Sequence, residues 1–337
     1  MKPLIRRALV RSAGAALAMP FIPRLGHAAE VTWRLGHVAP TATVLHEHLQ
    51  EAADAIKKRS DGKMELKIIP EGQAGIQSGL LAQVRNGGLE MTLVSGVQLA
   101  PTMPISGIPS AAFLFPDHKA VWEAMDGELG QLVRTQIGSL LGIQVMEKIW
   151  DFGFRHITTN DRAITKAGDL AGLKIRSQID EDQMDMLRAL DAVPVAITLP
   201  YLRTALQHRQ IDGQDSTLPV VQYARLNEVQ SYCALTSHAW DGQWICVNDA
   251  AWKKLPERMQ RIVANTMNGV APRQREASAT FERNVRENLA KGGLKFTDVD
   301  KASFRDRLRQ KGYYAGVKAK IGDPAWALVQ KISGVAA

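Results

Sequence analysis

The chain has 337 residues, of which 45% are hydrophobic and 23% are charged, and its formal net charge is +8. This length and apolar content are sufficient to bury a core in two domains. The even spread of charge and the absence of a low-complexity run or a fixed-period repeat exclude an intrinsically disordered chain and a repeat protein.

The first 28 residues predict a signal peptide. Basic residues precede a short apolar stretch at 13–22, and small residues follow at 26–29. This layout is typical of secretory signals, and the stretch is shorter than the roughly 20 residues that a membrane-spanning helix needs. The pair Arg6 and Arg7 also resembles a twin-arginine signal without its usual serine and phenylalanine, so both export routes stay open. We therefore expect a periplasmic protein.

The signal peptide also carries most of the positive charge. Cleavage after Ala28 would remove five basic residues and no acidic residue, so the formal net charge would fall from +8 to +3. The remaining charge does not favour a nucleic-acid partner. The basic residues removed are Lys2, Arg6, Arg7, Arg11 and Arg24.

The two cysteines, Cys233 and Cys246, leave two alternatives open. In an oxidising compartment they could form a disulfide, whereas thiols inside apolar, strand-like runs are typical of core residues. Their spacing alone does not decide between these alternatives.

The first part of the mature chain predicts strands that alternate with helices. Segments in which apolar and polar residues alternate, as in a strand, are separated by segments with the apolar periodicity of a helix. Pro40 and Pro70 mark breaks between them. This order is typical of a parallel sheet covered by helices. The predicted elements are strand 31–36, helix 44–59, strand 64–69, helix 78–86 and strand 89–94.

A second alternation follows, and we therefore predict an α/β fold of two similar lobes. Residues 256–291 predict a long helix, shared by the lobes, that breaks near 269–272 because Pro272 cannot sit unperturbed inside a helix. The other predicted elements are helix 118–141, strands 143–149, 154–159 and 173–176, helix 182–190, strand 193–197, helix 200–208, a strand end at 211–214, strand 294–299 and a helical tail from 301.

No combination of residues predicts catalysis or a cofactor. The G-x-S-x-G elbow, the P-loop and a G-x-G-x-x-G turn after a strand are all missing. His46 and His48 lie about 200° apart on a helix, so they cannot share a metal ion, and residues 46–48 predict a solvated helix face. The acidic run at 180–182 is explained by a helix start, where carboxylates are favoured.

Short motifs spread over the mature chain carry a family resemblance. The longest are W-D-F-G-F-R-H-I-T-T-N from residue 150, D-L-A-G-L-K-I-R from 169, Y-L-R-T-A-L-Q from 201 and I-D-G-Q-D-S from 211. Shorter pieces are L-G-H-V from 35, F-L-F from 113, E-V-Q from 228 and L-T from 235. In this order and spacing they resemble the DctP-type solute-binding proteins of tripartite ATP-independent periplasmic (TRAP) transporters.

The resemblance implies a type II-like periplasmic binding protein fold with a ligand cleft between the lobes. After the signal peptide at 1–28, we predict lobe I at 31–152 plus 241–280 and lobe II at 153–240 plus 281–337. Such a protein closes around a small organic acid and delivers it to the membrane subunits of its transporter. We expect a monomer without metal or cofactor.

Two arginines are the main candidates for binding the carboxylate. A guanidinium presents paired donors that match two carboxylate oxygens, and it stays charged at any periplasmic pH. The resemblance implies that Arg176, in L-K-I-R, pairs with the ligand in a bidentate manner and that Arg155, in G-F-R, adds a less direct contact. The alternative for either residue is a salt bridge that only holds its lobe together.

One candidate departs from the family pattern. Where the family has the asparagine of D-G-Q-E-N, this chain has Ser216, whose hydroxyl is shorter and offers fewer hydrogen bonds. On lobe I the matching positions are His37, Val38, Gln77 and Ser95. Some members carry acidic residues at the positions of Gln77 and Ser95. The absence of acidic residues at these positions here argues against a ligand with an ammonium group or many hydroxyls.

Five further residues are secondary candidates for the cleft. Phe113, Trp150 and Trp240 could form an apolar wall for the ligand or be ordinary core residues. Leu199 and Tyr201 precede the T-A-L-Q helix, where the family places side chains at the cleft.

Two functions of other classes stay open. A periplasmic enzyme acting on a carboxylate would need an acid, a base or a nucleophile in the cleft, and a ligand-sensing receptor subunit would differ only in its membrane partner. The identity of the acid is not predicted, because an arginine clamp fits keto acids, dicarboxylates, sugar acids and aromatic acids alike.

Overall fold

The structure is a computed structural model, and it describes residues 29–178 and 180–335. Over these residues one mixed sheet of ten strands is covered by helices, which confirms the predicted α/β class. The predicted signal peptide lies outside the described residues. None of the described helices combines the length and the apolar character that crossing a bilayer requires.

The strands are β1 Val31–Gly36, β2 Met64–Ile69, β3 Met91–Ser95, β4 Ile143–Val145, β5 Trp150–Thr159, β6 Lys174–Ser177, β7 Val193–Ala196, β8 Gly213–Thr217, β9 Tyr232–Asn248 and β10 Lys295–Thr297. The helices are α1 Val44–Arg59, α2 Gln77–Asn86, α3 Gly96–Leu99, α4 His118–Asp126, α5 Glu128–Leu141, α6 Glu181–Ala189, α7 Leu199–Gln207, α8 Leu218–Tyr223, α9 Asp249–Lys254, α10 Glu257–Lys291, α11 Lys301–Gln310, α12 Tyr313–Ile321 and α13 Asp323–Ser333.

The sheet consists of two parallel halves joined by two antiparallel strands. In the first half-sheet β1 lies between β2 and β3, and in the second half-sheet β6 lies between β8 and β7. β9 and β5 lie side by side between the halves, antiparallel to each other and to their outer neighbours β3 and β8. Each half-sheet therefore keeps the β-α-β order that the sequence predicts.

Strand β9 runs through both halves, and the sequence pattern does not predict it. Residues 232–234 pair with β10, whereas residues 243–247 pair with β3. Polar residues buried in the middle of the strand break the apolar pattern from which a strand is predicted. Cys233 and Cys246 are both buried free thiols in this strand. At about 3.3 Å per residue they lie roughly 40 Å apart, which rules out a disulfide between them.

Helix α10 is continuous, so the predicted break near 269–272 is wrong. Pro272 lies on the exposed side of the helix, where water can reach the carbonyl that loses its hydrogen-bond donor. The inward face holds the helix in place through buried side chains that include Val270, Ala271 and Gln274.

The observed bounds of other elements differ from the predicted bounds. Residues 118–141 form two helices separated at Gly127, and the strand predicted at 143–149 is limited to β4. The acidic run at 180–182 begins helix α6 as predicted, because Oδ1 of Asp180 accepts a hydrogen bond from the backbone N–H of Gln183 at 2.8 Å.

The C-terminal helices contact elements of both halves. Helix α11 packs against α6, and α13 packs against α5. Phe304 and Trp326 belong to one core cluster that also contains Val94 of β3 and Ile175 of β6. The tail therefore helps to hold the two half-sheets together, and the predicted lobe bounds stay a prediction.

A buried network of charged side chains fixes the start of β5. Oδ2 of Asp151 accepts hydrogen bonds from the indole N–H groups of Trp122 at 2.7 Å and Trp240 at 2.9 Å, and lies 3.0 Å from Nδ1 of His118. Glu282 of α10 lies between two histidines, 3.3 Å from Nε2 of His118 and 3.2 Å from Nε2 of His156. The network thus ties α4, β5 and α10 together.

The network shifts the pKa of two of its members. Burial alone would lower the pKa of His118, but hydrogen bonds to Asp151 and Glu282 outweigh it and raise that pKa to about 10. Burial alone would raise the pKa of Glu282, but hydrogen bonds from His118 and His156 lower it to about 2. Both groups are therefore ionised around neutral pH.

Replacing His118 by glutamine should cost a pH-dependent part of the stability. The raised pKa of His118 gives a contribution that is complete below its ordinary value of 6.5 and is lost as the pH rises through about 10. The lowered pKa of Glu282 gives a contribution that is complete above 4.5 and is lost as the pH falls through about 2. Between these limits we expect a loss of about 1.5–3 kcal/mol.

Denaturant unfolding of the wild type and of His118→Gln across the pH range measures this difference. We expect it to shrink steadily above pH 6.5. His208→Gln, at an exposed position after α7, serves as the control that should leave stability unchanged. A difference that is constant with pH, or that grows towards alkaline pH, contradicts the assignment.

Candidate functional site

The candidate site lies at the carboxyl ends of the parallel strands, beside β5 and β9. Open α/β sheets bind ligands at such strand ends. His37 follows β1, Ser95 ends β3, and Arg176 is the penultimate residue of β6. Arg155 lies in the neighbouring strand β5. These are positions at which an α/β fold presents side chains to a ligand.

Arg155 is engaged by carboxylates of the protein itself. Its Nε lies 2.9 Å from Oδ1 of Asp215, and its Nη2 donates to Oδ2 and to the backbone carbonyl of Asp215 at 3.0 and 2.7 Å. Its Nη1 donates to Oδ2 of Asp241 at 3.3 Å. Arg155 is only 2% exposed. In this structure it therefore makes the internal salt bridge that the sequence analysis left open as an alternative.

The ionised side chains around Arg155 shift one another's pKa values. Burial alone would lower the pKa of Arg155, but Asp215 and Asp241 raise it. Burial alone would raise the pKa of Asp215, but Arg155 and His238 hold it well below its usual range. The imidazole Nε2 of His238 lies 3.1 Å from Oδ1 of Asp215. For Asp241 burial outweighs Arg155 and raises the pKa to about 6.

Arg176 is buried but has no carboxylate partner within salt-bridge distance among residues 29–178 and 180–335. Its Nε donates to the carbonyl of Ile197 at 2.7 Å, and its Nη1 lies 3.5 Å from the carbonyl of Asp215. Only 4% of the residue is exposed. Burial and the positive charge of Arg155 lower the pKa of Arg176 to about 10, so it stays protonated at neutral pH. A buried cation of this kind is unfavourable until an anion pairs with it.

A chain of hydrogen bonds leads from Arg155 to the first half-sheet. Oδ1 of Asp241 accepts from Nε2 of Gln243 at 2.8 Å, and Oε1 of Gln243 accepts from Nε2 of Gln77 at 3.2 Å. Oε1 of Gln77 then accepts from the hydroxyl of Ser95 at 3.4 Å. The structure thus brings together three predicted site residues, Arg155, Gln77 and Ser95.

A second contact connects the ends of β3 and β6 directly. Nε2 of Gln98, in the short helix after β3, donates to Oε1 of Gln178 at 3.2 Å. Gln178 follows Arg176 by two residues, and Gln98 follows Ser95 by three. The two half-sheets are therefore in contact beside the unpaired guanidinium.

Ser216 belongs to a buried ladder of polar side chains. Its hydroxyl donates to Oε1 of Gln214 at 2.7 Å, and Gln214 lies opposite Arg176 in the register of β8 and β6. Gln214 donates in turn to the hydroxyl of Thr158, which donates to Gln230. The serine that departs from the family pattern is thus held by a neighbouring amide.

His37 faces the helix that follows it. Its Nε2 lies 3.1 Å from Nδ1 of His46, and its Nδ1 is buried without a partner among the described residues. Burial and His46 lower the pKa of His37 to about 4, so the ring is neutral. Of the solvated face predicted at 46–48, Glu47 is exposed, whereas His46 and His48 are half-buried. Over the described residues no group of three or more metal-binding side chains occurs.

Three predicted site residues lie at the surface, and three lie in the core. Val38, Leu199 and Tyr201 are exposed, and Tyr201 is 71% exposed. Trp150 and Phe113 are buried in core clusters. The remaining core residue is Trp240, whose indole N–H is already bound to Asp151.

Five of the residues that build the site were not predicted from the sequence. Asp215 was visible inside the I-D-G-Q-D-S motif, but nothing in the motif indicates that it pairs with Arg155. Asp241 and Gln243 lie in the unpredicted strand β9, and Gln98 and Gln178 lie just past strand ends. Their roles depend on contacts between distant parts of the chain.

Comparisons with known proteins show the family of this chain. A family model described as bacterial extracellular solute-binding protein, family 7 (DctP), matches residues 35–314. The 2,3-diketo-L-gulonate-binding periplasmic protein YiaO of Escherichia coli is 25% identical over 276 residues, which cover 82% of this chain and 84% of the relative.

Solved structures show the same fold. A TRAP periplasmic solute-binding protein from Desulfovibrio salexigens, with bound orotic acid, is 26% identical with a TM-score of 0.82, over 90% of this chain and 97% of that chain. Another TRAP periplasmic solute-binding protein, from Polaromonas and bound to D-erythronate, is 25% identical with a TM-score of 0.83. The match covers 90% of this chain and 99% of that chain. This chain therefore belongs to family 7 of the bacterial extracellular solute-binding proteins, the TRAP-associated family that its motifs resemble.

Proposed function

We propose that this protein captures a small organic acid in the periplasm through Arg176 and delivers it to the membrane subunits of a TRAP transporter. The single observation that carries the proposal is the buried guanidinium of Arg176, which has only backbone carbonyls as partners among the described residues. A carboxylate would supply the missing counter-ion and two acceptors in the geometry that a guanidinium prefers.

Arg155 takes a different role in this proposal. Because Asp215 and Asp241 already occupy its nitrogens, we assign it to positioning rather than to direct ligand contact. It holds β5, β8 and β9 together next to Arg176. The ligand's other contacts then come from Ser216 and from the first half-sheet, through Gln77 and Ser95.

The two predicted lobes, 31–152 plus 241–280 and 153–240 plus 281–337, would close over the ligand. The hydrogen bond between Gln98 and Gln178 supports this, since it joins the two half-sheets beside the site. A ligand that contacts both halves binds the closed form better and shifts the population towards it. The transporter subunits would then recognise the closed form of a monomer.

The proposed cycle makes and breaks no covalent bond, so the protein acts as a receptor rather than an enzyme. Its relatives support this class, because the family that matches 35–314 is one of solute-binding proteins. Export follows from the predicted signal peptide.

Replacing Arg176 by glutamine should abolish tight binding. A thermal-shift screen of organic acids first identifies a ligand, which at 100 times its Kd stabilises the fold by about 2.7 kcal/mol. Calorimetric titration of the variant should then show a loss of roughly 2–5 kcal/mol, which is roughly 1.5 to 3.5 decades of affinity. The free variant should melt no lower than the wild type, because an uncompensated buried charge has been removed.

Arg188→Gln is the matched control for this experiment. Arg188 is an exposed arginine of α6 that pairs with Glu181 and Asp185, so its loss should leave affinity nearly unchanged. Undiminished binding by Arg176→Gln, or equal losses in both variants, would refute the proposed site.

The chain should be cleaved and exported. We expect the periplasmic form to begin at Ala29, which intact-mass measurement of the protein expressed with its own leader checks directly. Replacing Arg6 and Arg7 by lysine together separates the two export routes, because only twin-arginine export depends on the pair. A periplasmic protein that retains Met1 would contradict the predicted signal peptide.

A further inference from the structure

The charges near Arg176 limit the charge that a ligand can bring. Arg155 is shared by two buried carboxylates, Asp215 and Asp241. Asp180, four residues past Arg176, is a third buried carboxylate, and its Oδ2 has no hydrogen-bond partner among the described residues. In this described neighbourhood Arg176 is thus the one buried guanidinium that no protein carboxylate neutralises.

The region already disfavours further negative charge. Burial raises the pKa of Asp180 to about 6, and burial likewise raises the pKa of Asp241 to about 6. Arg155 favours the ionised form of both carboxylates, and the exposed Lys320 also favours that of Asp180, yet the loss of hydration outweighs these attractions. A second anionic group on the ligand would meet the same unfavourable environment.

The opposite wall of the site is neutral. Its hydrogen-bonding groups are the amides of Gln77, Gln98 and Gln243 and the hydroxyl of Ser95, and the described structure places no lysine or arginine in their hydrogen bonds. His37, whose pKa is lowered to about 4, adds no charge at neutral pH.

A further negative charge, Glu71, lies near His37. Glu71 lies close enough to His37 to affect its titration, and its carboxylate accepts hydrogen bonds from the backbone and the hydroxyl of Thr41 at 3.1 and 2.9 Å. The apolar side chains of Val38 and Ile76 stand beside His37 and Gln77 and are exposed. Neither group offers a cation to a ligand.

We propose that the ligand is a monoanion, with one carboxylate that pairs with Arg176 and a remainder that is uncharged. This inference rests on the proposed function and narrows its substrate class. The amides and the hydroxyl of the first half-sheet would bind hydroxyl, carbonyl or amide groups of the ligand. The second carboxylate of a dicarboxylate would have no cation as a partner and would lie towards Asp241. Like charges in a closed interface are strongly unfavourable.

Matched pairs of acids test the inference on the ligand-free mature protein. Suitable pairs are gluconate and glucarate, butyrate and succinate, and 4-methylbenzoate and terephthalate. Within each pair a terminal hydroxymethyl or methyl group is replaced by a second carboxylate. Calorimetric titration at constant ionic strength should give at least about tenfold tighter binding of the monoacid in every pair that binds.

A pair of variants tests the cause of the preference. Gln77 is half-buried at the start of α2, so it can be replaced without opening the core. Gln77→Lys supplies the missing second cation and should reduce the monoacid preference by about tenfold. Gln77→Met removes the amide without adding charge and should leave the ratio of the two affinities as it is in the wild type.

The outcomes separate this inference from the proposed function. Equal or tighter binding of the diacids, with binding lost in Arg176→Gln, overturns the monoanion but leaves the carboxylate receptor in place. A ratio of monoacid to diacid affinity that is the same in Gln77→Lys as in the wild type also contradicts the inference. Binding that survives in Arg176→Gln, or no binding of any acid, refutes the proposed function and with it the inference.

Discussion

The pairing of Arg155 with Asp215 and Asp241 is the interaction on which the site depends. It connects β5 to β8 and β9 inside the protein, where an unpaired charge would be very unfavourable. Because Arg155 takes both carboxylates, the neighbouring Arg176 is left with backbone carbonyls. An internal salt bridge thereby leaves a second guanidinium without a carboxylate partner, and this is the group with which the proposed ligand would pair.

The side-chain hydrogen bond that joins the half-sheets beside the site is weak. Gln98 and Gln178 form a neutral amide pair, and such a hydrogen bond contributes only about 1 kcal/mol after loss of hydration. It can form and break easily, so it cannot by itself keep the protein closed. The carboxylate bound to Arg176 would add the larger, ligand-dependent part of the stabilisation, which is what a reversible receptor requires.

Sequence reasoning succeeded where structure is set locally. The bounds of β1, α1 and β2 agree with the predicted ranges because periodicity and capping residues act over a few positions. It failed where contacts between distant parts of the chain determine the structure. Polar side chains inside β9 obscured a long strand. Packing along one face of α10 keeps that helix continuous through Pro272. For the same reason the motifs pointed to Arg155 and Arg176, but only the folded chain shows that Arg155 is bound by acids from two other strands and that Arg176 is not.

Strand β9 has a mechanical consequence. Because it is hydrogen-bonded to β3 at one end, to β10 at the other and to β5 along most of its length, the two halves share a ladder rather than a loose linker. The proposed closure would have to be distributed as extra twist along this strand, helped where β5 shifts register around Gly153, whose φ is +92°. Closing would deform a stiff element, and the elastic energy stored there would favour reopening once the cargo has left.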